Sequence, residues 1–429
     1  AGASSGMAMA HWEIQGWMIL ILGWVFVPFY TRSMVYTMPE FLERRYNPQS
    51  RTILSVISLV SYVLTKVAVT VYAGGLVFQQ VFGIKELWGI DFFWIAAIGL
   101  VVLTALYTIF GGMKSVLYTS VLQTPILLLG SLIILVLGFK ELGGWDEMMR
   151  VCGAVTVNDY GDTMTNLIRS NDDANFPWLG ALIGSAIIGF WYWCTDQFIV
   201  QRVLSGKNEM EARRGTIFGA YLKLLPVFLF LIPGMIAFAL HQKYIGAGGE
   251  GFLPMLENGT ANADAAFPTL VAKLLPAGVK GLVVCGILAA LMSSLASLFN
   301  SSAMLFTIDF YKRFRPQTSE KKLVGIGQVA TVVIVILGIL WIPIMRSVGD
   351  VLYTYLQDVQ SVLAPGIAAA FLLGICWKRT SAQGGMWGLI SGMVIGLTRL
   401  GAKVYYSNAG EVADSTFKYL FYDMNWLFF

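Results

Sequence analysis

Three polar side chains stand where hydrocarbon should surround them: Glu13 beside Trp12, Lys223 in YLKLLP, and Gln357 in YLQDVQ. Each lies in a long apolar run, and a polar group in lipid is costly unless it is paired or faces an aqueous cavity. A lysine near a helix end can also reach the interface by snorkelling, so any one of the three carries little alone. Together an acid, a base and an amide on three separate runs point to a shared polar cavity. Hydroxyl-rich ligands need such mixed donors and acceptors.

Two further stretches carry unusual chemistry. In LMSSLASLFNSS, Ser293, Ser294, Ser297, Ser301 and Ser302 crowd one apolar run. Small residues of this kind pack helices closely. They also offer uncharged oxygens, which suit a hard cation that must later be released. In GFWYWCTDQFIVQR, the aromatic residues Tyr192 and Trp193 read either as interfacial belt anchors or as the lining of a site. Gly184 and Gly189 precede them and the ionisable Asp196 follows. Glycine interruption of a span is a pointer to a broken helix at a substrate site.

These groups need elements to hold them, and composition says what kind. The 429 residues are 57% hydrophobic and 13% charged, against about 45–50% and about 25% in soluble domains. Lipid must therefore be the main solvent. Runs such as VLQTPILLLGSLIILVLGF and VATVVIVILGILWIPIM approach the roughly 20 residues that cross a bilayer. Ten spans are predicted, at about 6–30, 52–82, 92–110, 116–139, 178–199, 215–240, 279–310, 323–345, 351–377 and 385–405. The closing FKYLFYDMNWLFF begins an eleventh.

Basic residues alternate between connections. Arg32, Arg44, Arg45 and Arg51 follow the first span, Lys114 the third, and Arg202, Lys207, Arg213 and Arg214 the fifth. Lys312, Arg313, Arg315, Lys321 and Lys322 follow the seventh, and Lys378 and Arg379 the ninth. The positive-inside rule makes these loops cytoplasmic. The first span then runs inward, and a helix is expected before it. The start AGASSGMAMA, with no initiating Met, fits a chain without its first helices. The sequon at Asn258 falls on the outer side, and the long outer loop 140–177 reads as a cap over an entrance. One transmembrane domain is expected over 1–429.

No catalytic triad, leaving-group carboxylate pair, nucleotide loop or metal-type spacing is visible, so an enzyme is not expected. Cys152, Cys194, Cys285 and Cys376 show no CxxC pattern, and His11 and His241 are far apart in sequence.

The chain as a whole resembles the sodium/glucose cotransporter branch of the solute:sodium symporters. The match runs in order through YTMPEFLERRY, ALYTIFGGMKSVLYTSVLQT, WYWCTDQFIVQRVLSGKN and GAYLKLLPVF with PGMIAF. It continues through LMSSLASLFNSS with FTIDFYKRF, and YLQDVQSVLAPGIAAAFLLGICWKR. The resemblance implies an all-α, LeuT-like five-plus-five inverted-repeat bundle with discontinuous helices, working by alternating access around a midplane site. It implies that Glu13, Lys223 and Gln357 contact sugar hydroxyls. Tyr192 would be an inner gate with Trp193 beside it, and Trp12 and Tyr353 aromatic members of an outer gate. Ala290 through its carbonyl, with Ser293 and Ser294, would hold half of a sodium site, the other half lying on a helix before this chain.

Three positions depart from the family pattern. Thr119-Ser120 stands where many relatives carry Thr-Asp. Ala296 stands where relatives with a second sodium site carry a hydroxyl, and Gly189 where some carry a polar sugar contact. The expected function is sodium-coupled symport of a hexose such as glucose or galactose across the cell membrane, with Na+ as the co-transported ion. Inositol, a carboxylate, an amino acid or a vitamin is the alternative solute. A solute channel or passive sensor is the alternative of another class.

Overall fold

A computed structural model describes residues 2–13, 15–35, 37–173, 175–256, 259–348, 351–408 and 415–425. Most of the described chain is helical, which suits backbone in hydrocarbon, because a helix satisfies its amides and carbonyls within one segment. Among the described residues, seven helices are long and apolar enough to cross a bilayer. They are Pro48–Phe82, Gln123–Leu142, Trp178–Thr195, Glu209–Gly246, Ala277–Phe314, Glu320–Met345 and Tyr355–Cys376. Gly16–Ser33 and Met38–Arg45 together make a sharply bent eighth. This is a multi-pass membrane protein. Asn258 lies outside the described residues.

One expectation needs correcting. The predicted spans 92–110 and 116–139 belong to a single unbroken helix, Phe92–Leu142, of 51 residues. At 1.5 Å per residue that is about 75 Å if straight, over twice the roughly 30 Å apolar core. Gly111 and Gly112, which read as a break, leave the backbone helical. A helix glycine costs only about 1 kcal/mol, and this helix packs extensively along Ala277–Met304.

The helices that carry the site are interrupted. A π-helical turn at Phe190–Thr195 gives way to extended backbone at Asp196, and a new helix, Gln197–Leu204, follows. Helix Glu209–Leu222 gives way to two turn residues, Lys223 and Leu224, before the chain is helical again and enters a π-helical turn at Val227–Leu231. In the first expected span, Ala10–Glu13 and Gly16–Ile21 are separate helices. The break predicted after Gly184 and Gly189 therefore exists but falls later, at Asp196. Both glycines are helical.

The face with the basic loops is laced shut around the short helix Met38–Arg45. The Thr37 hydroxyl donates to Asp309 Oδ1 at 2.9 Å, and Arg51 Nε donates to the same oxygen at 2.7 Å. Arg51 also pairs with Glu43 at 2.6 Å. Arg45 donates to the carbonyls of Gly374 and Trp377, at the end of helix Leu352–Cys376. On the opposite face, the loop 140–177 clamps the first residues of the chain. Met7 N donates to Met164 O at 2.8 Å, and the Arg169 guanidinium reaches Ser5 O. Amide donors from Asn158 and Ser170 hold the Asp162 carboxyl below its usual range. That contribution to stability is present above the ordinary carboxylate pKa and lost as pH falls through the lowered value.

Helices Leu352–Cys376 and Ala382–Asn408 cross backbone to backbone. A Cβ on Gly392 would lie 2.7 Å from Gly366 Cα, whereas one on Gly401 would meet nothing within 4 Å. Gly392→Val is expected to force the pair apart at about 1–3 kcal/mol and lower the thermal midpoint in detergent. Gly401→Ala, in open space on the same helix, is expected to leave it unchanged or slightly raised.

Candidate functional site

The Lys223 ammonium does not snorkel. It bonds to Glu13 Oε2, so the acid and base singled out in the sequence form one ion pair. Local structure explains the reach. Lys223 follows the last turn of its helix, and its stem passes Gly16, where a Cβ would lie 3.1 Å from Lys223 Cγ. Glu13 is the last residue of the short helix Ala10–Glu13.

The pair stands between two cavities. One, of about 340 Å³, is lined by Glu13, Tyr353, Asp264 and Phe230, among others. The second, of about 530 Å³, is lined by Lys223, Trp193, Arg202 and Thr216, among others. Pro226 borders both. Both volumes fall in the usual range for small-molecule sites. Tyr353 sits beside Gln357 and within charge range of Glu13 and Tyr192. Gln357 is buried, and its Oε1 has no hydrogen-bond partner among the described residues. The buried Nε1 of Trp193 is likewise unpartnered. In native proteins such atoms are usually partnered by protein groups or ordered water. The side chain of Trp12 lies outside the described residues.

Residues that the sequence reading passed over complete the picture. Gln15 is buried against Gly189, where a Cβ would lie 3.2 Å from Gln15 Cγ, and its Nε2 has no partner among the described residues. Gln15 thus places an amide side chain against the helix surface at Gly189. Asp264 accepts from Leu352 N at 2.9 Å and so tethers the start of the Gln357 helix.

The largest omission is Lys66. Its ammonium pairs with the Asp196 carboxylate at the break in the Tyr192 helix. Asp196 Oδ1 also accepts from the Tyr62 hydroxyl at 2.8 Å and from Phe198 N at 3.0 Å. The cation lies 4.3 Å from the Phe198 ring centre, 4.7 Å from Tyr62 and 5.0 Å from Tyr192. Aromatic faces attract a cation at these distances. Tyr192 is held from its other side by Trp193, edge to face at 5.0 Å. The signal for Lys66 was the one that flagged Lys223, a lysine inside an apolar run.

Ala290, Ser293 and Ser294 lie on helix Ala277–Met304. Ser293 is buried, with Ala290 and Ser294 half-buried. The Ser293 hydroxyl shares a 2.6 Å hydrogen bond with the Ser120 hydroxyl. Ser297, Ser301 and Ser302 are fully buried one to three turns further on.

A model of the sodium:solute symporter family matches residues 1–392. The chain belongs to that family. It is 38% identical over 413 residues to human sodium/myo-inositol cotransporter 2, covering 93% of this chain and 60% of the relative. To mouse sodium/glucose cotransporter 4 it is 38% identical over 419 residues, covering 95% and 60%. The chain thus spans about 60% of the length of these relatives. A solved Na+-coupled sialic acid symporter, in a substrate-bound outward-open state, superposes with a TM-score of 0.70 at 21% identity. The match covers 95% of this chain and 81% of that one. The fold is therefore that of this symporter family, the all-α, LeuT-like class expected.

Removing one member of a buried ion pair costs about 3–5 kcal/mol, because its partner is left charged and uncompensated. Lys66→Met is expected to lower the melting temperature strongly. Adding Asp196→Asn, which keeps the acceptor for Tyr62 and Phe198 N, is expected to restore much of the loss. A double variant no more stable than Lys66→Met would remove the pair as the cause.

Proposed function

We propose that this chain is the core of a sodium-coupled symporter that carries a sugar or polyol into the cell by alternating access, breaking no bond. The observation that carries this reading is the buried, unpartnered Gln357 Oε1 beside Tyr353, which lines a cavity with Glu13. A hydroxyl can donate to that oxygen, and the Glu13–Lys223 pair can accept and donate to others. The names of the relatives, sodium/myo-inositol and sodium/glucose cotransporters, favour the same class of solute. A carboxylate solute is disfavoured because Lys223 is already neutralised by Glu13.

In this reading Tyr192 and Trp193 form the gate towards the basic face, held by Lys66. Tyr353 closes the other side. Ala290, Ser293 and Ser294 supply their half of the sodium site. Sodium binding favours the outward-open arrangement and completes the solute pocket. The inward sodium gradient and the membrane potential then drive accumulation.

The test is uptake by proteoliposomes of labelled glucose, galactose, myo-inositol and sialic acid, with and without an inward sodium gradient. Sodium-dependent accumulation of a neutral polyhydroxyl solute against its gradient is the expected result. Only downhill, sodium-independent flux would make the protein a channel, and accumulation of sialic acid alone would make the solute an acid. Gln357→Ala and Lys223→Ala are each expected to weaken solute binding by about 1–3 kcal/mol, the cost of leaving a buried hydroxyl unpaired. Deoxy analogues lacking the contacted hydroxyl should lose less affinity in the variants than the full solute does. Ser294→Ala is expected to raise the sodium concentration for half-activation while shifting the melting temperature little.

A further inference from the structure

The loop 312–322 carries five cations, Lys312, Arg313, Arg315, Lys321 and Lys322, against one acid, Glu320. It is tightly folded. Thr318 N donates to Arg315 O at 3.2 Å, Leu323 N donates to Ser319 O at 3.0 Å, and Lys312 pairs with Glu320 at 3.6 Å. Arg313 is spent on Pro48 O, at 2.6 Å, and on the Thr52 hydroxyl. Arg315, Lys321 and Lys322 are exposed and form no ion pair among the described residues. Three uncompensated cations on one short turn attract an anion.

A cleft of about 440 Å³ opens beside the same turn. It lies between helix Ala277–Met304, with its π-helical continuation Leu305–Tyr311, and helix Glu320–Val348. Phe299, Met304, Leu323 and Val324 give it apolar walls. Glu320, Leu323 and Val324 line it and bracket Lys321 and Lys322 in the first turn of their helix, so these cations stand at its rim. Val324 is 62% exposed, and the cleft is open on that outer side, where a spanning helix meets lipid. Gln328 lines it too and is exposed. An amide facing hydrocarbon is costly unless a polar group meets it. Gln328 lies six residues from Lys322, about 9 Å along the axis, and helix side chains lean toward the N-terminus, here toward the cations.

Hydrocarbon alone would fill the apolar walls but leave the amide and the three cations unmatched. A negatively charged glycerophospholipid supplies every missing group in the same order: an acyl chain, ester carbonyls that accept from an amide, and a phosphate. We propose that this cleft is a binding site for one anionic phospholipid. Its phosphate rests on Arg315, Lys321 and Lys322, and one acyl chain lies between Met304 and Val324. Glu320 does not oppose it, because Lys312 meets that charge. The site shares helix Ala277–Met304 with Ala290, Ser293 and Ser294, yet needs neither solute nor sodium to be filled.

The experiment is equilibrium binding of radiolabelled dioleoyl phosphatidylglycerol to the purified full chain in detergent, with labelled dioleoyl phosphatidylcholine as the zwitterionic probe. One phosphatidylglycerol per chain is expected to bind saturably, about a hundredfold more tightly than phosphatidylcholine, each of the three cations contributing about fivefold. Equal retention of the two lipids would overturn the proposal. The triple variant Arg315→Gln, Lys321→Gln, Lys322→Gln is expected to lose most of the preference, and a folded triple variant that keeps it refutes the site. Val324→Trp, which can grow into the cleft mouth from its exposed position, should weaken retention of phosphatidylglycerol; unchanged binding there also counts against the proposal. If the triple variant does not fold, salt decides with the unaltered chain. In about 1 M salt the screening length is about 3 Å and the preference should collapse, so a preference that survives is a refutation. Glycerol 3-phosphate carries the phosphate without the chains. It is expected not to compete at equal concentration, and displacement of the lipid would make this a site for soluble phosphate instead.

Discussion

The Asp196 carboxylate is the point on which the two halves of the site depend. The chain is extended there, so the preceding turn ends and a new helix begins with its first amide donors open. One oxygen caps that helix at Phe198 N and takes the Tyr62 hydroxyl, and the other takes the Lys66 ammonium. A single acid thus sets where the helix breaks, fixes the rings of Tyr62 and Phe198 around a cation, and places Tyr192 one turn before the break. In hydrocarbon an unpaired carboxylate would be prohibitive, so the break and the lysine come as a set.

The same rule runs through the rest of the bundle. Glu13 goes with Lys223, Arg51 with Asp309 and Glu43, and Asp358 with Lys403 and Arg399. All but Arg51–Glu43 join segments distant in sequence, and a buried pair is expensive to separate. Gln357 Oε1, Trp193 Nε1 and Gln15 Nε2 are among the buried atoms with no hydrogen-bond partner among the described residues.

Much of this was legible in the sequence, for a definite reason. Glu13, Lys223 and Gln357 were visible because each contradicts its apolar surroundings, and hydropathy reports contradiction well. Lys66 and Gln15 contradict theirs equally, and a stricter reading of 52–82 and 6–30 would have found them. Arg202 was invisible in another way. It ends an apolar run and counts as a loop charge, and only the fold turns it back onto Ser297. The helix Phe92–Leu142 was misread because paired glycines mark a turn only when neighbouring packing permits one, and packing is not written locally.

The thin wall between the two cavities has an electrical consequence. Where water fills the spaces on either side of Glu13 and Lys223, each becomes an extension of the adjoining solution and carries almost no voltage drop. Any such space that joins the solution shortens the roughly 30 Å over which the potential falls. A unit charge crossing the shortened path does the same work as one crossing the whole bilayer, about 2.3 kcal/mol per 100 mV.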